Sequence, residues 1–214
     1  RIYVLSRGVE QLGQRVSKIN FDHEFQGQFG SFGGEDGRFM WPRSIDLDQD
    51  GRVYVSDEYL NRISVFDAEG AFRYHFGQSG SGEGEMNGPS GIAFDSHDTV
   101  WVVDSMNHRV QSFSQIGEFQ SGFGRQGADD GDLEMPWGIC IDRNDDIYVA
   151  DWGNNRVQKF SPSGELLLKF EESSNSVGSL KGPSGVAVDS DGDVYVTDWG
   201  IHRVQIYDAG GQYI

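Results

Sequence analysis

The chain has 214 residues and a formal net charge of −17 at pH 7, with 30 glycines, 13% aromatic residues and a single cysteine. The excess of carboxylates argues against nonspecific nucleic-acid binding, which needs Lys and Arg to displace phosphate counterions, and it disfavours adsorption to anionic lipid. No apolar run of about 18 residues is present to span a bilayer, and Cys140 alone cannot form an internal disulfide.

The opening segment "RIYVLSRGVEQ" is neither a signal peptide nor a transit peptide, and it starts inside an expected strand. The natural N-terminus is therefore expected upstream. The compartment stays open, with an extracytoplasmic one favoured. Tyr3 and Arg15 are 12 residues apart, whereas the matching Tyr148 and Arg156 are 8 apart. The loop around Glu10 is thus longer than its counterparts. Arg7 to Gln14 is expected to project from one face and to contribute to partner contact.

From Arg15 onward the chain repeats every 47 residues, as Arg15, Arg62, Arg109, Arg156 and Arg203 show. Pro42, Pro89, Pro136 and Pro183 keep the same step, as do Asp57, Asp104, Asp151 and Asp198. Two aromatic series also hold it: Phe66, Phe113, Phe160 and Tyr207, and Phe29, Phe76, Phe123 and Phe170. Each period reads as four short strands. The first follows the proline ("GIAFD", "GVAVD"). An Asp-Gly turn leads to the second ("VYVSD", "IYVAD"), rich in β-branched and aromatic residues. A loop leads to the third ("RVQKF"), a Gly turn to the fourth, and a Gly-rich linker returns to the next proline. No segment carries an apolar period of 3.6 over a helical length.

Four antiparallel strands per repeat of this length predict an all-β fold, a β-propeller of four-stranded blades. The expected organisation is a single propeller segment over 1–214. It has a partial blade at 1–30, full repeats at 42–88, 89–135 and 136–182, and a truncated repeat at 183–214.

The Asp–Arg pairs Asp57–Arg62, Asp104–Arg109, Asp151–Arg156 and Asp198–Arg203 flank the second-to-third hairpin. Because they recur, they are expected to be structural, each closed by bidentate hydrogen bonds. Asn61, His108, Asn155 and His202 are expected to bond loop backbone. Cys140, inside "GICI", reads as a small buried thiol.

"GPSGVAVDSDGDVYVTDWGIHRVQIY" resembles the NHL-repeat family signature, P-x-G-[IV]-A-x-D, [IV]-Y-V-x-D, N-x-R-[IV]-Q-x-F. Four copies cover residues 42 to 211 and a weaker half copy covers the start. The resemblance implies a ring that usually closes with six blades, more than 214 residues supply at 47 per blade. The chain is thus expected to be a segment of a longer protein, with an open arc capped by another chain or closure by oligomerisation as alternatives. Family members include protein- and RNA-binding modules, extracellular domains of receptors and kinases, and a peptide-amidating lyase, so the resemblance is specific for fold and weak for function.

Positions constant in every repeat build the scaffold, and those that vary are free to specify a ligand. On the face carrying the linker ends, here the top, the variable set is Arg43, Tyr59, Met106, Trp137, Trp152 and Trp199. Aromatics plus one arginine resemble an interface hot spot more than an acid–base centre. The alternative is that the Trp rings pack on neighbouring loops. Asp46 occupies a small apolar slot that holds Ala93, Cys140 and Ala187 elsewhere; a local bond to Arg43 or a substrate-facing site would account for it.

The bottom turns are rich in Asp, and "DQDG" and "DSDG" resemble calcium-loop fragments without the distal Glu. No cofactor is expected, calcium being the one possibility. The family's lyase carries zinc-binding His directly after the repeat proline. Here that slot holds Arg43, Ser90, Trp137 and Ser184, so a metal site is not supported.

The sequence thus points to a non-enzymatic propeller scaffold that binds a protein or peptide through its top loops, as a subunit of a larger complex in one version. The alternative is a propeller-type lyase or lactonase with its site at the channel mouth near Arg43 and Asp46. Nucleic acid is disfavoured by charge.

Overall fold

The computed structural model describes residues 1–8, 13–170 and 178–214. Those described residues form five antiparallel sheets of consecutive strands. The first comprises β1 (Ile2–Ser6), β2 (Arg15–Ile19) and β3 (Phe25–Phe29). The second has β4 (Pro42–Leu47), β5 (Val53–Asp57), β6 (Arg62–Phe66) and β7 (Phe72–Phe76). The third has β8 (Pro89–Phe94), β9 (Val100–Asp104), β10 (Arg109–Phe113) and β11 (Phe119–Phe123). The fourth has β12 (Ile139–Ile141), β13 (Ile147–Asp151), β14 (Arg156–Phe160) and β15 (Leu166–Phe170). The fifth has β16 (Pro183–Val188), β17 (Val194–Asp198) and β18 (Arg203–Tyr207). Tyr213 forms an isolated antiparallel bridge with Tyr207 beside β18.

Each sheet is a simple meander, the arrangement of a propeller blade. The only helices among the described residues are 3₁₀ turns at Ser105–Asn107 and Trp152–Asn154. No helix among those residues is long and apolar enough to cross a membrane.

The apolar alternation of each strand is buried between sheets. Four core clusters join successive sheets, first to second, second to third, third to fourth and fourth to fifth. The two aromatic series meet at these seams. Phe29 packs on Phe66 at 4.8 Å between centroids, Phe76 on Phe113 at 5.3 Å, Phe123 on Phe160 at 4.7 Å and Phe170 on Tyr207 at 5.7 Å. One ring of each pair ends a blade's outer strand and the other ends the next blade's third strand.

The turn after that third strand must pass over the outer ring. At Gly117 (φ +87°) a Cβ would lie 2.3 Å from the Phe76 Cβ, so both backbone angle and space require glycine. A further series, Phe39, Met86, Leu133 and Leu180, plugs each seam from the linker and is almost fully buried. Its residue type changes from repeat to repeat, but it keeps the same 47-residue step.

Burial fades toward the last sheet. Val157 of the fourth sheet is fully buried, whereas its equivalent Val204 is 57% exposed. The small slot follows the same gradient: Ala93 is buried, Cys140 half-buried and Ala187 exposed. The expected buried thiol is therefore only partly covered, packed against the core between the fourth and fifth sheets. That environment still pushes the Cys140 thiol up to about 12, chiefly through burial and then through Asp142. A thiolate is the reactive form. Cys140 is expected to alkylate with iodoacetamide at pH 8 at least about a hundredfold more slowly in the native chain than in denaturant. Mass spectrometry of timed samples checks this; equal rates would show an open, ionised thiol.

Candidate functional site

The hairpin aspartates act as clamps on the linkers. Each accepts the amide of the residue 17 positions earlier: Met40 to Asp57 at 2.7 Å, Asn87 to Asp104 at 2.6 Å, Glu134 to Asp151 at 2.7 Å and Lys181 to Asp198 at 2.6 Å. The arginines clamp the same linkers through carbonyls. Arg62 donates to Glu35 O and Arg38 O, Arg109 to Gly82 O and Glu85 O, and Arg156 to Asp129 O and Asp132 O. The linker is thereby fixed to the hairpin, and the post-proline residue is set in place.

The expected Asp–Arg ion pair forms in two repeats rather than four, and through one Nε contact rather than a bidentate fork. Arg109 Nε meets Asp104 Oδ2 at 2.8 Å, and Arg156 Nε meets Asp151 Oδ2 at 2.8 Å. The reason lies three residues after the aspartate. Asn107 and Asn154 share that carboxylate oxygen and bond linker carbonyls of Gly80 and Gly127. Leu60 and Ile201 hold that position in the other two repeats. There Asp57 Oδ1 is taken by the amides of Trp41, Tyr59 and Leu60, and Asp198 Oδ1 by Gly200 N. The Arg62 Nε is buried without a partner, and Arg203 is exposed.

Asn61, His108, Asn155 and His202 all adopt left-handed backbone, with φ between 52° and 55°. Asn61 and His108 reach past their own loop: Asn61 Oδ1 accepts Gly88 N at 2.8 Å and His108 Nδ1 accepts Met135 N at 3.1 Å. These bonds link one blade's hairpin to the next blade's linker.

With the linkers fixed, the post-proline residues converge. Arg43, Ser90, Trp137 and Ser184 line one open cavity of about 590 Å³, together with Ile139, Val186 and Trp199. The walls are the starts of β4, β8 and β16 and the segment entering β12, so the cavity occupies the mouth between the innermost strands. Gly91 and Gly138 allow those strands to approach closely: a Cβ on Gly138 would lie 2.8 Å from the Gly185 Cα.

Around this mouth runs a chain of rings and charges. Trp152 stacks on Trp137 at 5.1 Å with planes 8° apart. The Arg43 guanidinium lies over the Trp137 ring at 4.6 Å, and its Nε contacts Glu58 Oε2 at 3.1 Å. Arg7 approaches the same Glu58 oxygen at 3.5 Å and covers Trp41 at 5.0 Å. Trp41 meets Tyr59 edge-on at 5.5 Å. Burial pulls the Arg43 pKa down, with Glu58 opposing and Arg7 adding to the fall. Residues 9–12 of the long first loop, including Glu10, lie outside the described residues.

The candidate residues therefore separate. Arg43, Trp137 and Trp199 line the mouth, and Trp152 backs Trp137. Tyr59 and Met106 are exposed on neighbouring loops, as is Trp41, which is not one of the sequence candidates. Trp199 stands 63% exposed. Asp46 does not join them. It accepts its neighbour Leu47 N at 2.8 Å and Phe94 N at 3.2 Å, across the seam to the third sheet. Burial raises its pKa against those two amides. The expected local bond between Asp46 and Arg43 does not form, because Arg43 turns to Glu58 and Trp137.

The bottom aspartates are held by turn chemistry. Asp142 Oδ1 accepts the amides of Asn144 and Asp146, and its other oxygen meets Lys159 at 3.1 Å. Asp95 and Asp189 accept turn amides in the same way. Asp145 and Asp98 bond the amides of Ser96 and Gln49 in the neighbouring blade.

Sheet count, meander topology and axial mouth define a β-propeller. Segments 133–160 and 180–207 match the NHL repeat, and 44–121 matches a 6-bladed β-propeller family. The chain carries NHL repeats on that fold. No curated protein matches the sequence. In structure it is similar to virginiamycin B lyase from Staphylococcus aureus, with TM-score 0.69 at 16% identity over 94% of this chain and 61% of that one. It is also similar to a streptogramin B lyase, with TM-score 0.69 at 13% identity over 94% and 60%. A protein of unknown function from Bacteroides caccae gives TM-score 0.68 at 12% identity over 94% and 73%. The chain thus spans about 61% of the first of these structures, and at such identities the shared property is the fold.

Proposed function

We propose that this propeller is a non-enzymatic scaffold whose axial mouth and top loops bind a protein or peptide segment. The observation that carries the reading is the convergence of Arg43, Ser90, Trp137 and Ser184 with the exposed Trp199 on one cavity. Aromatic rings and one arginine around a concave centre are the composition of interaction hot spots. The lyase alternative has structural neighbours in its favour, but the groups at this mouth favour recognition. Among the described residues Arg43 is the one ionised side chain that lines it, with Glu58 beside it as ion-pair partner, and the other lining residues are serines, glycines and apolar groups.

The test is selection of a random displayed peptide library against the chain. Selected peptides are then titrated against wild type, Trp199→Ala, and Ile116→Ala as an exposed control away from the mouth. Loss of a hot-spot ring weakens binding by at least about tenfold. That loss is expected for Trp199→Ala and not for Ile116→Ala. Equal affinity for all three proteins would remove the mouth as the working surface.

A further inference from the structure

We propose that Arg43 gives the axial mouth selectivity for a carboxylate carried by the bound segment. The inference rests on the peptide-binding reading and adds the chemistry of the ligand group.

Arg43 is the one cation among the four converging post-proline residues. Its Nε lies 3.1 Å from Glu58 Oε2 in an ion pair, and one face of its guanidinium lies on Trp137. The two terminal nitrogens donate no hydrogen bond among the described residues. A planar guanidinium offers five N–H donors in a fixed fork that matches a carboxylate edge. Here the fork is held in advance. Trp137 supports the face of the group, Trp152 supports Trp137 in a parallel stack, and the Glu58 carboxylate attracts the Nε side. Little rotamer freedom remains to be lost when a ligand arrives.

Local charge agrees. Arg43 and Arg7 share the single carboxylate of Glu58, so the three groups carry one net positive charge within a chain of net charge −17. One further carboxylate neutralises the cluster. Partial burial of Arg43 at the mouth strengthens such a contact relative to open solvent. Ile139, Val186 and Trp199 supply an apolar wall for the side chain beside that carboxylate.

The carboxylate could be a chain terminus or an Asp or Glu side chain, and three synthetic heptapeptide libraries distinguish these sources. The first has free C-termini and no Asp or Glu. The second is C-terminally amidated and contains Glu. The third is amidated and free of acidic residues. Each is affinity-selected on the intact chain and read by mass spectrometry, followed by titration of matched sequences.

The expected result is that free-acid or Glu-containing peptides bind at least about tenfold tighter than their carboxylate-free counterparts. The enriched library identifies the source. Arg43→Gln should erase the preference with circular dichroism and melting temperature unchanged, and Arg43→Lys should retain only part of it. Tight, Trp199-dependent binding of the carboxylate-free library would leave the peptide reading standing and overturn the role of Arg43. A preference that survives Arg43→Gln would overturn it too. Retention of no peptide from any library would overturn both readings.

Discussion

Asp151→Ala is expected to lower stability by about 3 to 5 kcal/mol, because it leaves a buried cation without its counter-ion. Asp151 is fully buried, and its carboxylate accepts Glu134 N, Asn154 Nδ2, Arg156 Nε and Gln158 Nε2 at 2.7 to 3.3 Å. The Arg156 side chain is 5% exposed. Its terminal nitrogens already hold three linker carbonyls, so it cannot swing to water without releasing the linker. Asp198→Ala is the matched control. Asp198 accepts the amides of Lys181 and Gly200, and Arg203 is exposed. Its loss should cost roughly 1 to 2 kcal/mol, the penalty for unsatisfied amides alone. Urea titrations of both variants measure the difference. Equal costs would show that the buried charge pair contributes nothing beyond the amide bonds.

Phe160→Ala is expected to cost a further class of stability, about 3 to 5 kcal/mol, by opening the seam between the third and fourth sheets. Phe160 is fully buried and packs on Phe123 at 4.7 Å within the cluster that holds Ala93, Trp101, Leu133 and Ile147. Each core cluster joins two successive sheets. In an array held by nearest-neighbour interfaces, weakening one interface lowers cooperativity as well as stability. The variant should therefore unfold over a broader denaturant range, with a reduced slope or two steps, as followed by tryptophan fluorescence and circular dichroism. A single transition of unchanged slope, merely shifted, would show that the sheets remain coupled by other means.

The two variants probe different levels of the same design. Asp151 fixes the linker that places Trp137, so its loss should also weaken peptide binding at the mouth. Phe160 lies in the seam and should leave the mouth's chemistry intact in whatever fraction remains folded. That contrast separates the clamp from the core.

Much of this was legible in the residues. A 47-residue step in proline, aspartate, arginine and phenylalanine leaves a single supersecondary unit as the repeat. Strand alternation then determines which side chains can meet at a seam, because period-two patterning admits one buried face per strand. The sequence also separated constant scaffold positions from variable ones, which brought Arg43, Trp137 and Trp199 forward. What it did not determine was where shared carboxylate lone pairs go. Asp57 and Asp151 look equivalent along the chain. Asn154 steers one carboxylate toward its arginine, while the loop amides around Leu60 take the other. Nor did it place Asp46, whose partner Phe94 N lies 48 residues away across a seam. Hydrogen-bond competition and the closeness of inner strands are properties of folded neighbours. Only the packed sheets decided that Arg43 faces Trp137 and Glu58 at the axial mouth while Asp46 faces the next blade.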